Sequence, residues 1–157
     1  MKLFQIEEPD GSPSDPNLPG MAIAIDLSGG SALVAVSVGG NAALLDDREG
    51  FEGELPVPRG DADPAEWQEL FSGARLRAER ALARPATHAV VATAAAADRA
   101  LEARMIEAAG RTGLELLRLV AVGDLPAGET PVLAAAILAE DLAPRPDPGQ
   151  PPDANPG

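Results

Sequence analysis

Not one cysteine occurs among the 157 residues, which excludes disulfides, thiolate nucleophiles and thiolate metal sites. Histidine occurs once, at His88, so a histidine-based metal cluster within one chain is excluded as well. His88 opens an apolar run, which gives it a surface or strand-end role. Lys2 is the sole lysine and stands in the leader, so no lysine phosphate clamp or Schiff base is expected from the folded part. Phe4, Phe51, Phe71 and Trp67 are the only aromatic side chains, too few for a base-stacking platform. Positive charge is scarce too: 12 basic residues face 25 acidic ones, for a formal charge of −13. That balance opposes nonspecific binding to nucleic acid or to an anionic membrane. The densest basic group, Arg75, Arg77, Arg80 and Arg84, shares one helical stretch with Glu66, Glu69 and Glu79 and reads as a solvated face. Long apolar runs are also missing. The alanine-rich segments are broken by Asp98, Arg99 and Glu102, which leaves nothing able to span a bilayer. The opening MKLFQIEEPD has no apolar core or cleavage site of a secretory signal, so the cytoplasm is the expected location.

What the chain does have is proline, glycine and alanine in an ordered arrangement. Residues 1–20 carry Pro9, Pro13, Pro16 and Pro19 among polar neighbours, and residues 144–157 read PRPDPGQPPDANPG. Neither end has the apolar content to offset the entropy of ordering it, so a disordered leader and a disordered proline-rich tail should flank one domain, residues 21–143. Within it, Ala22 to Leu27, Ala32 to Val38 and Asn41 to Asp46 read as three strands joined by tight turns, an antiparallel meander. The acidic loop from Asp46 to Gly60 follows, with Pro56 and Pro58 opposing any regular element. Asp63, Pro64 and Glu66 mark a helix start with a capping box, and Trp67, Leu70, Phe71, Ala74, Ala78, Ala81 and Leu82 form its apolar stripe. Thr87 to Thr93 is a buried-type strand. Ala97 to Thr112 is a second helix, with Leu101, Met105, Ala108 and Ala109 inward and Gly113 just past its end. Leu116 to Val122 is a further strand, and Thr130-Pro131 opens a helix that runs to Leu142. The order β-β-β-α-β-α-β-α predicts an α/β fold with a mixed five-stranded sheet flanked by helices, and this succession resembles that of the ribonuclease H-like fold.

The functional hint lies in Met21 to Gly40, MAIAIDLSGGSALVAVSVGG. An apolar strand delivers Asp26 into the small-residue turn Ser28, Gly29, Gly30 and Ser31. A strand-end carboxylate beside exposed backbone N–H groups is suited to holding a divalent cation next to a phosphate. A plain hairpin with a solvated Asp has the same pattern.

Two stretches resemble the first, N-terminal lobe of the Hsp70-type nucleotide-binding domain in the Hsp70, actin and sugar kinase superfamily. AIAIDLSGGSALVAVSVGG is similar to its opening phosphate segment, with Asp26 in the place of the family Asp and Ser28 where a glycine is usual. ATHAVVATAAAADRALEARMIEAAGRTGLELLRLVAVGDLPAGETPVLAAAIL is similar to the strand, helix, Ala-Gly-Leu turn, Leu-Arg-Leu strand and Ala-rich helix that follow. Gly113, Leu114, Leu117, Arg118 and Leu119 match in order, and Thr112 replaces an alanine. The resemblance spans about residues 21–142. It implies an actin-like ATPase fold, a chaperone-related role, and ATP with Mg as the ligands of Asp26, Ser28, Gly29, Gly30 and Ser31, with Asp124 as a second metal-side carboxylate.

The departures from the family are as informative. The inserted upper subdomain and its catalytic lysine are missing, as are the second lobe and the substrate-binding domain, and Ala121-Val122-Gly123 precedes Asp124 where the family has Asn-Glu-Pro. Three readings follow. The first is a degenerate, non-catalytic single-lobe protein that acts through a protein partner or as a homo-oligomer. The second is half of an ATP/Mg site completed by another chain. The third is a ribonuclease H-like nuclease, for which Asp26, Glu66 or Glu69, and Asp124 are the available carboxylates. No catalytic residue is assigned on any of these readings.

Overall fold

Six consecutive residues of β1, Met21–Asp26, are buried, because the strand is covered on both faces. Alternation sends Ile23, Ile25 and Leu27 to one side and Ala22 and Ala24 to the other. The computed structural model describes residues 21–45, 55–59, 61–126, 128 and 130–143. The ends, residues 1–20 and 144–157, and most of the acidic loop, residues 46–54 with Gly60, lie outside the described residues.

The elements are β1 (Met21–Asp26), β2 (Ser31–Val38), β3 (Asn41–Leu44), β4 (Leu55–Pro56), α1 (Pro64–Leu82), β5 (Ala86–Thr93), α2 (Arg99–Arg111), β6 (Glu115–Ala121), a single 3-10 turn (Val122–Asp124) and α3 (Pro131–Leu142). The sheet order is β3-β2-β1-β5-β6. β2 is antiparallel to β1 and β3, while β1, β5 and β6 run parallel. This single α/β domain, a mixed sheet with three helices, has the ribonuclease H-like, actin-ATPase-like architecture expected from the order of elements. The expected third strand ends at Leu44, and Asp46 lies outside the described residues.

One element was not expected. Leu55–Pro56 pairs antiparallel with Ser31 and Ala32 of β2, and the Val57 N–H extends the pairing to the Gly30 carbonyl at 3.1 Å. The prolines do not prevent it, because a two-residue edge strand needs few backbone donors. This strap lies close over α1 because Gly73 has no side chain: a Cβ there would stand 2.7 Å from Leu55 Cδ2.

The two sheet faces carry different cores. α1 and α2 cover a face of large side chains, with Phe71, Met105, Ile23, Ile25, Val34, Val91 and Leu114 all essentially inaccessible. Trp67 and Phe71 stack at 6.3 Å between ring centroids. Full burial of such side chains contributes about 1.5–3 kcal/mol each. α3 covers the other face, and there Ala135, Ala136 and Ala139 meet Ala22, Ala24, Ala35 and Ala92. Small residues on both partners let the α3 backbone approach the sheet closely. The helical stripes match the sequence except at Ala81, which is exposed, and Arg77, which is buried.

The helix ends show how local signals work. Pro64 and Pro131 stand at the first helical positions. The expected capping box is absent: the Asp63 side chain makes no cap, and its backbone carbonyl accepts the Glu66 N–H at 3.0 Å. Asp98 does cap, accepting the Leu101 N–H at 2.8 Å, so α2 begins at Arg99 rather than Ala97. Gly113, at φ +93°, follows α2 and lets Leu114 donate back to Ala109 at 2.9 Å.

Candidate functional site at the carboxyl edge of the sheet

β1, β5 and β6 are parallel, so their carboxyl ends share one edge. In open α/β sheets that is where ligands are bound. Asp26 ends β1, Thr93 ends β5, and the 3-10 turn with Asp124 follows β6 directly. Register places Asp26 beside Ala92 and Ala92 beside Val120. Asp26 and Asp124 therefore belong to the same edge but to strands separated by β5, roughly 10 Å at two strand spacings.

Asp26 is 5 % exposed. By alternation it belongs to the α3 side, in line with Ala22 and Ala24. Its Oδ1 accepts the Ser28 N–H at 2.9 Å, a local Asx-type turn that orients the carboxylate and turns the chain out of the strand. The Leu27 N–H is held by the Ala92 carbonyl at 2.7 Å. Ser28, Gly29 and Gly30 are exposed and Ser31 is half-buried at the start of β2. Neither Gly29 nor Gly30 adopts a left-handed conformation. A Cβ at Gly30 would meet nothing within 4 Å, and one at Gly29 only the Ser31 carbonyl oxygen at 3.8 Å. Glycine is not required there by backbone strain, and the turn stays bare and accessible.

Asp124 is exposed. Among the described residues no group of three or more His, Cys, Asp or Glu side chains could hold a metal ion. Mg commonly keeps water and takes one or two protein carboxylates beside substrate phosphates. Asp26 is one such carboxylate, and the donors at this edge number fewer than a complete metal site requires. Glu66 and Glu69 lie on the exposed side of α1, outside the α3-side setting of Asp26.

Two features at this edge were not read from the sequence. Thr93 donates from Oγ1 to the Ala95 carbonyl at 2.6 Å, which closes the β5 end where a carboxylate is absent. The strap also reaches the site, since Val57 holds Gly30. The first is a local contact between residues two apart, whereas the second depends on chain segments that meet only in the fold. His88, at the opposite edge, is tied to Thr87 Oγ1 through Nδ1 at 2.7 Å, and its Nε2 stands 3.5 Å from Glu115 Oε1. That arrangement joins β5 to β6 at their amino ends.

Compared with known proteins, the sequence matches no family model and no curated protein. No helix among the described residues is long and apolar enough to cross a membrane.

Proposed function

We propose that this chain is an Hsp70-like single-lobe module that acts by binding another protein and does not catalyse hydrolysis. The observation that carries the reading is the contrast between a fully specified scaffold and a site with one engaged carboxylate. Both cores are closed and all three helices have defined ends. Phosphoryl transfer, however, needs charge placed on several sides of the transferred group, and only Asp26 stands at the turn. The test is light scattering coupled to size exclusion, with and without ATP and magnesium, followed by a turnover assay on the same sample. The expected result is an oligomer or partner complex with no turnover. A stable monomer with Asp26-dependent ATP turnover would defeat the reading.

A second reading has an observation of its own. On this reading Asp26 and the turn from Ser28 to Ser31, exposed through Gly30, supply one side of a phosphate site that a second chain closes. Calorimetric titration with ATP and magnesium separates the two readings. The isolated chain should bind weakly, and Asp26→Asn should abolish the magnesium-dependent part. Tight binding that survives Asp26→Asn removes the carboxylate from the site. The nuclease reading needs several converging carboxylates, and no observation at this edge favours it.

A further inference from the structure

The strap and the first half of α1 enclose a groove of about 370 Å³. Its walls are Leu55, Pro56 and Val57, its floor is Leu70, and Glu66 and Glu69 stand at its rim. Arg59 also borders it, paired with Asp61 at 3.6 Å while both side chains are largely exposed. Arg59 stays cationic, and the Asp61 carboxylate beside it offsets that charge locally.

The described residues beside this groove are acidic on balance: residues 55–69 hold Asp61, Asp63, Glu66 and Glu69 against Arg59, and Glu66 and Glu69 line the groove itself. Resting on the protein-binding reading, we infer that this groove is the docking site for an extended partner segment in which lysine or arginine alternates with aliphatic side chains. Alternation in an extended chain sends every second side chain to the same face. The aliphatic set would lie against Leu55, Val57 and Leu70, and the long basic side chains would lay their stems along the walls with their charged ends at Glu66 and Glu69. Complementary charge speeds encounter and selects against acidic partners. The groove is also joined to the carboxyl edge, because the strap that walls it donates from Val57 to Gly30. A segment seated in the groove therefore presses on the same strap that holds the Ser28–Ser31 turn.

The test uses the full chain, isotope-labelled for amide spectra, and the soluble peptide Gly-Lys-Leu-Lys-Leu-Lys-Gly. Two control peptides carry serine for leucine or glutamate for lysine. Saturable shifts are expected at Leu55, Val57 and Leu70, with a smaller shift at Gly30 through the strap. The pair Glu66→Lys/Glu69→Lys should raise the dissociation constant at least tenfold. The equally charged pair Glu107→Lys/Asp141→Lys, on the exposed faces of α2 and α3, should change it less than twofold. Circular dichroism confirms that both variants stay folded. Absence of binding, shifts centred elsewhere, equal binding of the serine peptide, or equal loss in the control pair would each overturn the groove assignment. The turnover assay is independent of these peptides, so the groove can fail while the non-catalytic reading stands, and the reverse.

Discussion

Two Gly-Gly pairs sit at opposite edges of the sheet, and the fold treats them in opposite ways. Gly39 and Gly40 join β2 to β3 with φ of 62° and 85°, left-handed values that suit a tight hairpin and disfavour other residues. Their N–H groups donate to Glu140 of α3 at 2.7 and 2.9 Å, and Ser37 Oγ adds a third bond at 2.7 Å. Gly29 and Gly30 need no special conformation and are exposed. They are flanked by Asp26 on one side and the strap on the other. A carboxylate of the chain itself fills the first turn, whereas the second stays open to solvent. The same dipeptide thus serves structure at one edge and leaves backbone available at the other.

The comparison can be broken most strongly at Glu140. Replacing it with alanine removes the acceptor of three charge-assisted bonds, and a loss of about 2 kcal/mol is expected, measured by urea unfolding. Protection of the β2–β3 turn amides against hydrogen exchange should fall together with stability. Gly40→Ala comes next, with a loss of about 1 kcal/mol from forcing a side chain into the left-handed region. Gly73→Ala sharpens the other side. A helical glycine-to-alanine change gains about 1 kcal/mol, but the new methyl group must push Leu55 aside, so the net change should be near zero. Its signature is a displaced strap, seen as amide shifts at Val57 and Gly30. The smallest effect is expected at Gly30→Ala, within about 0.5 kcal/mol of the parent, as for a surface position without strain. A loss there as large as that of Gly40→Ala would show that the two turns are not different in kind.

Much of the scaffold is legible in the chain. Pro64, Pro131, Asp98 and Gly113 act within a turn of the helix ends they set, and the main strands, six to eight residues long, declare themselves by mostly apolar stretches bounded by turn signals. The candidate site was legible only in outline. Asp26 was recognisable as a strand-end acid because its neighbours along the chain are all apolar. The strap was missed because its two prolines oppose a strand locally, and what stabilises it is contact with β2 and with the space left by Gly73.

The sequence by itself determined the order and type of the main elements, because helix caps, proline positions and apolar periodicity are short-range properties. It also determined what chemistry is out of reach, since a cysteine, a lysine beyond Lys2 and a second histidine are missing and cannot be supplied by folding. Only the tertiary structure decided that Glu140 fills a turn 100 residues away, that Leu55 lies on Gly73, and that Asp26 and Asp124 share an edge with β5 between them. Those outcomes depend on which strands become neighbours and how closely the layers approach. That is settled by packing across the whole sheet, and no local stretch of the chain carries it.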